Sequence, residues 1–271
     1  MDDDEAFCTF DWGQKILPQE HREAQSAYFG KKGMSVLVGS FVWKDSAQRL
    51  ASTATTTTSL SSRTYSTESY IVAITNAAQT ELDTLSAGEI ITKQFKIDYP
   101  HIKKLHKRTD NAGNFSSHAT PEAEKLICER LGIKLLTRDY SEVQKGKDIC
   151  DRICGISKAR LRSWEATGND LLNAIDIKEG MEYAGGIKNT KIAVAEIVSD
   201  QGHLSKTNVP NVSTIRSIRY SPDNMKVFKA SSIGAGIAIP YKKIDFETNM
   251  RIVSPFGCSI DKQQSNTISK E

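Results

Sequence analysis

The sequence predicts an α/β protein: a mixed five-stranded sheet with helices on both faces, followed by a small strand-rich C-terminal region. Three observations carry this prediction. Apolar segments with strand and helix patterning follow one another as strand-strand-strand-helix-strand-helix-strand-helix up to about residue 167. The two strand-helix-strand crossovers require parallel pairing after an antiparallel opening. The chain has 271 residues, 38% hydrophobic and 25% charged, which is enough to bury a sizeable core. No apolar run approaches the ~18 residues of a membrane helix, so no membrane partner is expected. The acidic opening Met1-Asp2-Asp3-Asp4-Glu5 lacks the pattern of a secretory or transit leader, so none is expected, and five scattered cysteines fit a reduced intracellular setting.

The elements follow in order. Residues 6–11 and 33–43 read as strands, the second rich in β-formers (Met34, Val36, Val38, Phe41). From Ser46 to Thr67, thirteen of 22 residues are Ser or Thr, too polar to bury much surface, and a flexible insertion is expected over 46–67. A strand at 69–75 precedes a helix over 80–98, whose apolar face is Leu82, Leu85, Ile90, Ile91 and Phe95, with Pro100 closing it. A short basic strand covers 102–109. Thr120-Pro121-Glu122-Ala123-Glu124 predicts a helix start with Thr120 as N-cap, Pro121 at N1 and a capping-box glutamate; Gly132 ends that helix. A strand at 133–137 leads to a long helix over 148–167, with Ile153, Ile156, Leu161 and Trp164 packing inward. A helix at 171–183, a strand at 191–198 and shorter strands at 214–220, 225–230 and 233–239 complete the pattern. The expected division is 1–198, then 199–260, then a disordered tail at 261–271.

Charge is unevenly spread. Residues 1–30 carry a balance of −5 and residues 93–162 one of +7, a pointer to a phosphate-bearing partner that a solvated surface would equally explain.

Three acids stand out by position. Asp11 ends the first strand, Asp110 directly follows the strand at 102–109, and Asp151 sits in the first turn of the long helix. If the two strands are neighbours, Asp11 and Asp110 converge, and the helix can bring Asp151 over them. Hard cations such as Mg²⁺ or Mn²⁺ take oxygen ligands, and two ions about 4 Å apart serve phosphodiester cleavage. Each acid also has a plainer reading: Asp11 as a strand-end residue, Asp110-Asn111 as a turn, Asp148 as an N-cap. Cys150 and Cys154 have the i, i+4 spacing of zinc ligands but no second Cys or His pair nearby, and read as buried thiols. No dinucleotide fingerprint, P-loop, G-x-S-x-G or H-E-x-x-H is present, so no organic cofactor is expected.

The order of elements and the three acids resemble the ribonuclease H-like fold of DDE/D-type transposases. Phe10-Asp11-Trp12-Gly13-Gln14-Lys15, with Tyr28-Phe29-Gly30-Lys31-Lys32-Gly33, looks like the first-acid block of a transposon-derived group. Thr109-Asp110-Asn111-Ala112-Gly113 and Gly146-Lys147-Asp148-Ile149-Cys150-Asp151 look like its second- and third-acid blocks. The resemblance covers about residues 7–198. It implies that Asp11, Asp110 and Asp151 bind two Mg²⁺ or Mn²⁺ ions, with Asp148 the competitor for the third acid. It also implies that Lys147, Lys158 and Arg162 contact DNA. The activity implied is DNA phosphodiester cleavage and strand transfer, in a nuclear or nucleocytoplasmic protein whose oligomeric state is left open. About ten residues precede Asp11, so the expectation is a catalytic-domain fragment or a decayed copy. A non-catalytic nucleic-acid-binding or protein-interaction remnant is the alternative.

Overall fold

The computed structural model describes residues 1–21, 31–45, 65–141, 148–199, 204, 207, 209, 212–231 and 233–257. Its strands are β1 (Glu5–Trp12), β2 (Ser35–Lys44), β3 (Tyr65–Ile74), β4 (Lys104–Thr109), β5 (Lys134–Tyr140), β6 (Thr190–Ile197), β7 (Ser217–Tyr220), β8 (Asn224–Phe228), β9 (Ile237–Pro240) and β10 (Met250–Ser254). The described helices are α1 (Glu81–Asp98), α2 (Thr120–Arg130), α3 (Ile149–Glu165) and α4 (Ala174–Glu182). No described helix is long and apolar enough to cross a membrane.

The α/β class is as expected, but the sheet is larger than five strands. All ten strands form one mixed sheet in the order β10-β6-β3-β2-β1-β4-β5-β7-β8-β9. Its centre is the antiparallel run β1-β2-β3, flanked by the parallel pairs β1-β4, β4-β5 and β3-β6. The C-terminal strands widen both edges: the meander β7-β8-β9 pairs onto β5, and β10 onto β6. Between them, the segment carrying Ile244 and Phe246 crosses over α1 and α2, burying both side chains against Leu82, Leu85, Ala123 and Ile127.

Period-2 alternation sorts the core. Leu37, Phe41, Trp43, Tyr70 and Val72 face α1 and α2, where Phe41 stacks on Phe95 with ring centroids 3.9 Å apart. Val36, Val38, Ile71 and Ala73 face α3 and α4, against Ile153, Leu161, Ile177 and Met181. Both faces are therefore covered by helices.

Several local expectations need correction. The expected insertion at 46–67 lies outside the described residues over 46–64, and its last three residues open β3. The expected tail at 261–271 also lies outside them. Thr120 is not an N-cap: α2 begins at it, Ala119 precedes it without a side-chain cap, and the Thr120 hydroxyl donates to Glu81 Oε1 at 3.1 Å. The capping box falls instead on α1, where Thr80 and Asp83 exchange side-chain and backbone bonds. Ile156 is 40% exposed rather than inward, because the buried stripe of α3 runs through Cys150, Ile153, Ser157 and Leu161.

Candidate metal centre

Parallel pairing of β1 and β4 sets Phe10 opposite Thr109. The next residues along, Asp11 and Asp110, therefore leave the same end of the sheet, the carboxyl end of adjacent parallel strands, where open α/β sheets place ligands. Helix α3 lies across β1 and β2. Its second residue is anchored there, the Cys150 thiol donating to the Thr9 carbonyl at 3.3 Å. This close approach depends on Gly13, where a Cβ would lie 2.6 Å from Val36 Cγ2 and 3.2 Å from Cys154 Sγ. Gly13→Ala should force α3 outward and lower stability by about 1–3 kcal/mol, read as an earlier thermal midpoint. An unchanged midpoint would show that this seam yields freely.

The N-terminus of α3 is thereby set beside Asp11. Asp148 is the N-cap, accepting the N–H groups of Cys150 (2.8 Å) and Asp151 (3.4 Å), so its plainer sequence reading is correct. Burial pushes the Asp148 carboxyl above the usual range; those two N–H groups pull it back, Asp151 adds to the rise, and Arg108 opposes it.

Asp11 reports on the whole group. Its carboxyl is raised to about 7, first by burial and then by the negative charges of Asp110, Asp148 and Asp151. Asp110, Asp148 and Asp151 thus all lie within electrostatic reach of Asp11. They differ in what they already hold. Asp110 Oδ1 accepts the Ala112 N–H at 3.1 Å, Asp148 caps the helix, and Asp151 is exposed.

Among the described residues, no three His, Cys, Asp or Glu side chains stand close enough to grip an ion as they are placed. Backbone N–H groups already engage the carboxylates of Asp11, Asp110 and Asp148. The donor set nonetheless fits a hard cation, being made only of carboxylate oxygens. The neighbouring thiols do not contribute: burial pushes Cys154 up to about 12 and Cys150 well above its ordinary value, which keeps both protonated.

The expected DNA contacts separate. Lys158 stands near Cys154, and its ammonium donates to Gln14 Oε1 at 2.6 Å, which sets it at the margin of the acid group. Arg162 is exposed eleven residues beyond Asp151, about 16 Å along the helix. Lys147, with residues 28–30 of the first-acid block, lies outside the described residues. Gln14 and Arg108 were not singled out from the sequence. Gln14 was visible as the third residue after Asp11, whereas Arg108 gave no signal beyond a basic strand.

No protein-family model matches the chain, and no curated protein matches it. The functional reading therefore rests on the acids and the strand order that carries them.

Proposed function

We propose that this chain carries a ribonuclease H-like core that binds Mg²⁺ or Mn²⁺ and acts on DNA phosphodiester bonds by cleavage and strand transfer. The observation that carries the reading is the half-buried Asp11 carboxyl at the carboxyl end of β1, beside Asp110 from the neighbouring parallel strand, raised first by burial and then by three other carboxylates. The charges of Asp110, Asp148 and Asp151 bear on Asp11, and a divalent cation would relieve that repulsion. The strand order β3-β2-β1-β4-β5, with β1-β2-β3 antiparallel and β4 and β5 parallel to β1, supports the finer fold assignment.

In this reading Asp11 and Asp110 offer carboxylate oxygens from neighbouring strands, and Asp151 or Asp148 completes the set from α3. When bound, the ions supply water activation and stabilisation of the leaving oxygen. Lys158 is placed to hold a phosphate, Gln14 orients its ammonium, and Arg108 balances the charge of Asp148. Arg162, farther along α3, contacts DNA away from the reacting phosphate. The reaction class is in-line displacement at phosphorus by water or a DNA 3′-hydroxyl. The spread of the carboxylates favours a second reading, a nucleic-acid-binding remnant without catalysis.

Thermal melting with Mn²⁺ tests the site before any activity is sought. At tenfold over its dissociation constant, Mn²⁺ should stabilise the wild type by about 1.4 kcal/mol, a midpoint rise of about 4 °C. Asp110→Ala should show no rise. If neither protein responds, the metal reading fails; if the wild type responds but cleaves no DNA in Mn²⁺, the remnant reading stands.

A further inference from the structure

Arg138 on β5 is fully buried, with 0% exposure, beneath the turn that starts at Asp110. Its guanidinium reaches four groups. Nε donates to Tyr140 Oη at 2.8 Å, Nη1 bonds Glu124 Oε2, and Nη2 donates to the Phe115 carbonyl at 2.6 Å and, more weakly, to Thr109 Oγ1 at 3.4 Å. Two of these partners bracket the segment 110–114. Thr109 immediately precedes Asp110, and its hydroxyl donates to the Asp110 carbonyl at 2.9 Å. Phe115 closes the segment, and its N–H bonds the Ala112 carbonyl at 2.9 Å.

Within the segment, everything converges on Ala112. Its N–H is held by Asp110 Oδ1, and its carbonyl accepts the N–H groups of Phe115 and Ser116 and the Ser116 hydroxyl. The turn is thus a small hydrogen-bonded body, stapled at both ends to one planar cation. A planar fork of five donors can do this and an ammonium cannot. From below, Glu124 bonds Arg138 through one oxygen and Lys107 Nζ through the other, at 2.7 Å.

We infer that Arg138 is a positioning residue for the candidate metal centre: by closing the 109–115 turn from inside the core, it fixes where the Asp110 carboxylate stands relative to Asp11. This rests on the metal reading proposed above. The role is directional, because the guanidinium touches the backbone of the turn and the Thr109 hydroxyl, never the carboxylate itself.

The test uses Arg138→Lys, which keeps the charge but cannot span both ends of the turn. Tyr70→Phe serves as a control; it removes a buried bond to Asp98 (2.6 Å) far along the sheet. Two quantities are read: the Mn²⁺ dissociation constant, from midpoint rise against concentration, and metal-free amide hydrogen exchange across residues 109–116. Both variants should melt below the wild type. Tyr70→Phe should keep the wild-type Mn²⁺ affinity, whereas Arg138→Lys should bind Mn²⁺ about tenfold more weakly and exchange faster in the turn. Wild-type affinity in Arg138→Lys would overturn the positioning role and leave the metal reading intact. A wild type that ignores Mn²⁺ overturns both, and exchange then reports only on the fold. Should Arg138→Lys fail to fold, Thr109→Val removes the hydroxyl between guanidinium and turn and is held to the same tenfold loss.

Discussion

In metal-free buffer at pH 8, Asp11→Asn melts higher than the wild type, by about 4 °C. The Asp11 carboxyl is raised from its ordinary 3.8 to about 7. A carboxyl raised by folding favours the folded state in its neutral form. That advantage is complete below about pH 4 and is lost as pH climbs through about 7. Above pH 7 the folded protein holds in a half-buried, negatively charged site a charge that the unfolded chain carries in water. Partial solvent access screens the effect, and about 1–2 kcal/mol is expected rather than the full value of the shift. Wild-type stability should therefore decline between pH 4 and 7 by a component that Asp11→Asn lacks. Mn²⁺ at tenfold over its dissociation constant should close the gap between the two proteins at pH 8, raising the wild type alone. Parallel pH profiles with equal midpoints at pH 8 would show that Asp11 is not strained by its neighbours.

The second large effect lies under the same end of the sheet. Arg138→Ala leaves one oxygen of the Glu124 carboxylate, which is 5% exposed, without its partner, and leaves the Phe115 carbonyl and the Tyr140 hydroxyl without their donor. Removing one partner from a buried ionic group typically costs about 3–5 kcal/mol, here a midpoint fall of about 10 °C. Lys107, whose ammonium also lies 3.9 Å from the centre of the Phe10 ring, stays bonded to the other Glu124 oxygen and keeps part of the pairing, which sets the cost toward the lower end of that range. Removing all three charges together, as Lys107→Met, Glu124→Leu and Arg138→Met, should recover most of the loss, since packed apolar groups commonly replace buried ion networks at little cost. A midpoint fall below 2 °C in Arg138→Ala would mean that water reaches the network.

These two sites show what the sequence made legible. The acids were visible because each stands at the end of a well-marked element, but pairing of the strands ending at Asp11 and Asp110 stayed a condition, since two further strands and a helix separate them in sequence. The apolar face of α1 was equally plain: Leu82, Leu85, Ile90, Ile91 and Phe95 are all buried. Arg138 and Glu124 were not legible. A glutamate in the first turn of a helix and an arginine near a strand end are ordinarily solvated, and only tertiary pairing buries them. The strand expected at 133–137 continues to Tyr140, because Thr137, Arg138 and Asp139 pair with β7 some 80 residues later. The width of the sheet was hidden for the same reason. Local patterning marks strands but not their distant partners, so β10 on β6 and β7 on β5 could not be read from either segment alone.

The order in which the sheet is assembled has a consequence for how the chain is made. Residues 5–140 supply the central strands and residues 190–197 supply β6, but the partners of β5 and β6 arrive only with residues 217–254. A chain emerging from the ribosome therefore carries two unpaired sheet borders until its last quarter is synthesised, each a template for another strand. Closing both borders late, over long sequence separations, makes folding slow and concentration-sensitive. Shortened forms ending before residue 217 should accumulate as aggregates even though their central strands are intact. The strap that carries Ile244 and Phe246 over α1 and α2 then acts as the closing step, since it alone delivers β10 to the opposite border.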